Sequence, residues 1–464
     1  MTAFEEYLHA LRGRQVAVLG IGVSNTPLLR LLAQAGACVT ACDKKSESEL
    51  GERAAKLRAL GVQLYTGPDY LDGVEASGAE LIFRTPGMRP DLPALARARA
   101  RGAEVTSEME VFFAVCPCPI IAVTGSDGKT TTTTVIAEML RAAGRRVFLG
   151  GNIGTPLLDQ TGQMSPDDLC VLELSSFQLM SMSQSPHIAV VTNLAPNHLD
   201  VHRSMDEYVD AKRNIFRFQA PDDILVLNLD NAITRSFAAE SGAEVRFFSR
   251  LDQPVHGVWL DGDRIVFDGQ ELMRRDDIRI PGEHNVENYM AACAAVAGLV
   301  PPAVMRQVAR EFPGVEHRLE LVRAIGGTMW YNDSIASSPT RAIAGLKCFD
   351  GPIVLIAGGY DKHIPFDELG REICARVDTL LLCGATADKI EAAVNTAGSA
   401  KKPRMLRFEN LDDTVRKAYE LAQPGDTVLF SPACASFDQF PNFMKRGERF
   451  KELVRALPEP GQGQ

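Results

Sequence analysis

The chain has 464 residues, 45% of them hydrophobic and 23% charged, with 49 Lys and Arg against 59 Asp and Glu for a net charge of −10. That length predicts two to four domains that each bury a core, and the composition excludes whole-chain disorder. The acidic balance argues against nucleic acid as a partner, and no apolar run approaches the ~18 residues of a membrane span. The first twenty residues carry acidic groups before their first apolar run and do not read as a secretory leader. Ten scattered cysteines without a CxxC pair read as small core residues of a cytoplasmic protein.

In chain order, Gln15–Leu19 reads as a buried strand, followed by a Gly-Ile-Gly turn, a helix from Thr26 to Ala35 and a second strand, Cys38–Cys42. Another strand, Leu81–Arg84, runs into Thr85-Pro86-Gly87. Strands alternating with helices predict a parallel, doubly wound sheet. Val115–Pro119 (VCPCP) breaks the pattern, and a new series begins with Ile120–Thr124 and continues through Gly144–Gly154, Leu169–Glu173, Ile188–Asn193 and Ile224–Asn228. Asp-Gly turns in VWLDGDRIVFDG (258–269) predict a hairpin, and Asn285–Val300 a helix. After Pro313-Gly314 come three further buried strands, Ile353–Ala357, Thr379–Cys383 and Thr427–Ser431. The fold class is therefore α/β in three domains: 1–106 and 315–464, both Rossmann-like, around a central P-loop ATPase-type domain, 107–314.

The strongest motif is VTGSDGKTTTTT (123–134), an apolar strand running through Gly125-Ser126-Asp127-Gly128-Lys129-Thr130 into a helix. Glycines turn backbone N–H groups onto a phosphate, Lys129 adds a point charge and Thr130 offers a hydroxyl to Mg²⁺. Position 123 is Val, so this is a shortened phosphate loop, GxxGK followed by Thr. Glu173 ends a strand in LELSSFQL, where a carboxylate beside such a loop would hold Mg²⁺. The turn Gly20-Ile21-Gly22, with Asp43 after the next strand, imitates a dinucleotide fingerprint, but Asn25 stands at the third glycine.

Several other residues read blandly on their own. His198 in NLAPNHLDVH is a loop histidine, and Lys212 in YVDAKRNIF is a solvated helix lysine. Asn285 and Asn288 read as helix caps, while Arg318 and Asp333 sit near turns. Cys434, in Ser431–Ser436 (SPACAS), lacks a poised histidine and reads as inert packing.

Together these strings resemble the Mur ligase family of amide-bond-forming synthetases, across all three domains. The strings that carry the resemblance are TGSDGKTTTT, GGNIGTP (150–156), LELSSFQL, the His284-Asn285 and Asn288 run, Asn332-Asp333-Ser334, and SPACASFDQF followed by NFMKRGERF. The resemblance implies an ATP-dependent ligase of peptidoglycan precursor synthesis that forms an acyl phosphate. The last two strings are particular to the branch that adds D-glutamate to UDP-N-acetylmuramoyl-L-alanine. It further implies small-molecule substrates only, no nucleic acid, no membrane, and a monomer in the cytoplasm.

Residue by residue, the resemblance places the UDP substrate at Val23, Ser24, Asp43, Lys45, Thr85, Pro86 and Gly87, with Asn152 and His198 touching the muramoyl part. ATP would lie on Gly125, Ser126, Asp127, Gly128, Lys129, Thr130 and Thr131, with Asn288, Arg318 and Asp333. Two Mg²⁺ would be held by Thr130, Glu173, His198 and a carbamylated Lys212, and Lys129, His198 and Lys212 would be catalytic. D-Glutamate would meet Lys362, Ser436 and Phe443, and Ile335 stands where many relatives carry lysine. Other readings stay open on the residues: an L-alanine-adding relative or folylpolyglutamate synthase, a nicotinamide-dependent oxidoreductase, and a non-catalytic nucleotide switch.

Overall fold

The computed structural model describes residues 1–22, 25–196 and 201–459. The chain forms two compact units, Met1–Arg275 with Glu287–Val308, and Asp276–Val286 with Ala309–Gln464. The fold is α/β throughout, built on three sheets dominated by parallel strands.

The first unit carries two sheets. One contains β1 (Gln15–Leu19), β2 (Cys38–Asp43), β3 (Gln63–Thr66), β4 (Leu81–Phe83) and β5 (Glu104–Thr106), all parallel, in the order β3-β2-β1-β4-β5. Because β2 and β4 flank β1, strand order reverses at the carboxyl end of β1, the place where open α/β sheets bind ligands. The helix after β1 spans Asn25–Gln34, one residue earlier at each end than its sequence suggests.

The second sheet contains β6 (Ile120–Thr124), β7 (Val147–Gly151), β8 (Leu169–Glu173), β9 (Ile188–Val191), β10 (Ile224–Asn228), β11 (Glu244–Ser249), β12 (Gly257–Asp261), β13 (Arg264–Phe267) and β14 (Gln270–Arg274). The order is β14-β13-β12-β11-β10-β9-β6-β8-β7, parallel from β7 to β12 and antiparallel over the last hairpins. Every residue of β6 and β8 is buried, which is why both read as unbroken apolar runs rather than alternating ones. Here too order reverses, since β8 and β9 lie on either side of β6, and the phosphate-loop sequence leaves β6 at that point.

The second unit holds β15 (Glu320–Ile325), β16 (Thr328–Asn332), β17 (Ile353–Ala357), β18 (Val377–Cys383), β19 (Arg404–Phe408) and β20 (Thr427–Phe430), in the order β15-β16-β20-β17-β18-β19. Only the β15–β16 pair is antiparallel. The carboxyl ends of β16, β20 and β17, three neighbours, carry Asn332-Asp333-Ser334, Ser431–Ser436 and Gly358–Lys362. Among the described residues, no helix is long and apolar enough to cross a membrane.

Candidate active site

The phosphate loop is braced from below before any ligand enters. Ser126 Oγ accepts from the backbone N–H of Ala195 and pairs with Tyr208 Oη, each at 2.9 Å. The N–H of Asp127 donates to Asn193 Oδ1 at 2.9 Å, and Thr192 Oγ1 donates to the Asp127 carbonyl at 2.5 Å. Gly128 precedes the helix Lys129–Ala142 with φ +78°, and a Cβ there would lie 2.2 Å from Asn288 Oδ1. Only glycine fits both the left-handed backbone and that close approach. Asn288 also accepts from Thr132 Oγ1 at 3.3 Å, so it is packed against the loop helix rather than serving as a helix cap; the helix that holds it begins at Glu283.

At the head of that helix the polar groups converge. Thr130 Oγ1 donates to Glu173 Oε2 at 2.6 Å, and Asn152 Nδ2 donates to Glu173 Oε1 at 2.7 Å. Parallel pairing of β6, β8 and β7 puts these residues at one sheet edge, with Val123 opposite Glu173 and Glu173 opposite Gly151. Lys129 folds back, its Nζ donating to the carbonyls of Gly125 at 3.0 Å and Ser126 at 2.8 Å.

Lys212 differs from its sequence reading. It lies on the helix Met205–Arg213 but is only 1% exposed, not solvated. Its Nζ donates to Thr124 Oγ1 at 3.1 Å and to the Gly125 carbonyl at 2.9 Å, and stands 4.9 Å over the Tyr208 ring. Burial, then the nearby Lys129 charge, pushes its amine well below the usual lysine range, opposed by Glu173 and Asp127. A lysine amine of lowered basicity thus stands at the strand edge that carries Glu173.

In the first sheet, Asp43 accepts from the N–H groups of Ile21 at 2.6 Å and Lys45 at 2.8 Å, which fixes the Gly-Ile-Gly turn against the end of β2. Asn25 explains the missing third glycine. Its buried Nδ2 donates to the carbonyls of Leu19 and Gly20 at 3.1 and 3.0 Å, closing the turn with a side chain. Arg84, fully buried and unsuspected from sequence, donates to the Pro86 and Met88 carbonyls, so it shapes the turn that contains Thr85, Pro86 and Gly87. It also reaches the Phe177 carbonyl at 3.2 Å and Ser181 Oγ at 2.5 Å, tying that turn to the segment after Glu173. Val23, Ser24 and His198 lie outside the described residues.

The second unit gathers a separate cluster. Asp333 is buried, its Oδ2 accepting from Ser431 Oγ at 2.8 Å, and burial pushes its carboxyl up to about 7 despite the positive charge of Arg318. Ser334 Oγ donates to the Phe443 carbonyl at 2.8 Å, and the Phe443 ring meets His317 edge-on. Lys362 Nζ reaches the Ser337 carbonyl at 3.4 Å, and the N–H of Tyr360 donates to Ala435 O beside the buried Ser436. Arg446, 4% exposed, donates to Ser334 Oγ and to the carbonyls of Ser334, Cys434 and Ala435 at 2.9–3.1 Å. The quoted string NFMKRGERF contains it, but nothing in the string shows that one arginine locks two strand-end loops together. Cys434 is buried against Thr386 with its thiol pushed up to about 11, in keeping with inert packing.

Two family models match the chain. Residues 123–296 match the Mur ligase middle domain, and residues 317–434 match the Mur ligase, glutamate ligase domain. The UDP-N-acetylmuramoylalanine--D-glutamate ligase of Acetivibrio thermocellus is 51% identical, over 98% of this chain and 99% of its own length. The protein of the same name from Clostridium novyi is 49% identical over the same shares. Among solved structures, the UDP-N-acetylmuramate-alanine ligase of Thermotoga maritima superposes with TM-score 0.59 at 19% identity, covering 95% of this chain and 99% of that one. MurF from Acinetobacter baumannii gives 0.57 at 14% identity, covering 96% and 92%. Those two share the fold.

Proposed function

The chain belongs to the Mur ligase family, and from that premise we propose that it joins D-glutamate to UDP-N-acetylmuramoyl-L-alanine with cleavage of ATP. Identity near one half over the whole length to ligases of that name supports the substrate pair. The observation that carries the reaction type is the convergence of Lys129, Thr130, Asn152, Glu173 and Lys212 where β6 and β8 end. We assign the three sheets to three domains, 1–106 for UDP, 107–314 for ATP and 315–464 for the amino acid.

A carboxylate is a poor electrophile at neutral pH, so its oxygen must first become a leaving group. In the proposed sequence the muramoyl-alanine carboxylate attacks the γ-phosphorus of ATP, ADP departs, and an acyl phosphate forms. The neutral amine of D-glutamate adds to the acyl carbon, a proton leaves the nitrogen, and phosphate is expelled as the amide forms. Catalysis here is mainly positioning and charge neutralisation. Lys129 swings from the Gly125 and Ser126 carbonyls to the transferred phosphoryl group, and the loop N–H groups hold the other phosphates.

Mg²⁺ suits the donors present: the hydroxyl of Thr130 and the carboxylate of Glu173, 2% exposed, are hard oxygens already in contact. When bound, the ion supplies neutralisation of phosphoryl charge. Asn152 orients the Glu173 carboxylate, and we retain His198 as a contact to substrate and a second ion. Lys212 becomes a further oxygen ligand if its neutral amine takes up CO₂, giving a carbamate anion and releasing one proton. The depressed basicity of Lys212 supports that step, because only the unprotonated amine reacts.

Lys362, Ser436 and Phe443 are assigned to D-glutamate, and Arg318 and Asp333 to the nucleotide. The test is to incubate the purified chain with ATP, Mg²⁺, UDP-N-acetylmuramoyl-L-alanine and D-glutamate. One amide product per phosphate released, identified by mass spectrometry, is expected; ATP hydrolysis without amide would overturn the reading.

A further inference from the structure

Ten cysteines that look scattered in the sequence include three that meet in space. Cys116 ends the helix Glu108–Val115, Cys118 lies between Pro117 and Pro119, and Cys170 is the second residue of β8. Their sulfurs form a triangle with sides of 3.6 Å (116–118), 3.6 Å (116–170) and 3.3 Å (118–170). Among the described residues, this is the group of His, Cys, Asp and Glu side chains whose ligand atoms gather closely enough for one ion. From this geometry we propose that Cys116, Cys118 and Cys170 bind a single thiophilic d¹⁰ cation of the Zn²⁺ or Cu⁺ class through three sulfurs.

The triangle has the right size. A zinc–sulfur bond is about 2.3 Å, so an ion touching all three sulfurs would sit about 1 Å above their plane. Backbone rigidity preserves that shape: prolines on both sides of Cys118 fix their own φ, and the N–H of Cys170 donates to the Pro119 carbonyl at 3.0 Å. Cys118 and Cys170 are buried while Cys116 is partly exposed, so an ion has an entry side. The thioether of Met164 lies 3.8 Å from Cys170 Sγ, adding a soft neighbour to a soft donor set.

The short sulfur–sulfur contacts mean that each thiol has the other two as neighbours within 3.6 Å. Counted from three thiols, a divalent cation binds the cluster as M²⁺ + 3 RSH → M(SR)₃⁻ + 3 H⁺. The site clamps the amino ends of β6 and β8, at the opposite end of these strands from the phosphate loop and Glu173. It is therefore separate from the Mg²⁺ donors.

Cd²⁺ is the probe, because thiolate-to-cadmium charge transfer absorbs in the ultraviolet and an oxygen-ligated ion does not produce that band. Freshly reduced full-length protein should take up one Cd²⁺ per chain with this band, release protons as the thiols are metallated, and melt at a higher temperature. Zn²⁺ should compete. Cys116→Ser, altering the most exposed ligand, should weaken Cd²⁺ binding at least ~10-fold and shrink the band; Cys118→Ser should do the same. Cys348→Ser, outside the cluster, should leave both unchanged. Absence of the band in reduced protein, or an undiminished band in both Cys116→Ser and Cys118→Ser, would overturn the proposal.

Discussion

Lys212 Nζ lies 2.9 Å from the carbonyl oxygen of Gly125, so an amine on one helix closes against the first residue of the phosphate loop. The pair is buried, and the amine also contacts Thr124 at the end of β6. A lysine placed there for stability alone would be a poor choice, since desolvating an ammonium is expensive unless it is paired. The carbamate proposed for Lys212 would form from the neutral amine.

Lys212→Met, which keeps the side chain's length and removes the amine, should lower turnover on the order of 100-fold or more. Small carboxylates such as acetate or formate should restore part of that loss in Lys212→Ala by occupying the vacated space. Isotopically labelled bicarbonate should give the wild-type protein a carbamate carbon resonance that Lys212→Met lacks. Full activity in the variant would contradict the assigned role.

Lys129→Ala should cut kcat by on the order of 10³, because preorganised charge at the transferred group is a leading catalytic contribution. The amine is hydrogen-bonded to the Gly125 and Ser126 carbonyls of the loop, and the melting temperature should move far less than kcat. Single-turnover kinetics beside thermal melts separate the two effects.

Glu108 gives a pH prediction. Its carboxyl is buried beside the N–H of Leu158, and burial raises it to about 7 from an ordinary value near 4.5. Between those values the folded protein keeps a proton the unfolded chain has lost, so stability falls as pH rises, by roughly 1 kcal/mol per pH unit. Glu108→Gln keeps an acceptor for Leu158 and abolishes the titration. Wild type and variant should therefore melt alike near pH 4, and the variant should melt higher above pH 7. Parallel melting curves across the range would refute the assignment.

Arg446→Lys should not rescue Arg446→Ala. The guanidinium meets four acceptors spread over two loops, which a single ammonium cannot span. Removing those buried donors should destabilise the second unit by about 3 kcal/mol, and the loosened loops should raise KM for glutamate more than KM for ATP. Urea unfolding followed at Trp330, in the core of that unit, reads the stability change.

What the sequence made legible is local. The phosphate loop needs its glycines, lysine and threonine within a few consecutive residues, and the apolar runs of β6 and β8 declare strands buried on both faces. What it hid depends on distant pairing. Lys212 looks like an ordinary helix lysine until its helix is docked on the end of β6, 87 residues earlier in the chain. Arg84 and Arg446 carry charges that no sequence pattern marks as buried, because their partners are mostly backbone carbonyls, which have no residue signature. The cysteine triangle joins residues up to 54 positions apart, one on β8 and two in the segment that leads into β6. Asn25 shows both sides: its departure from the glycine pattern is visible, whereas its bonds to Leu19 and Gly20 are not.

The most direct measurement is phosphate release from ATP, with Mg²⁺ and UDP-N-acetylmuramoyl-L-alanine present, across a panel containing D-glutamate, L-glutamate, L-alanine and glycine. Release that depends on D-glutamate, with amide formed in equal amount and the other amino acids near background, is the result expected of this chain. Equal turnover with both glutamate enantiomers, a preference for L-alanine, or release indifferent to any amino acid would contradict it.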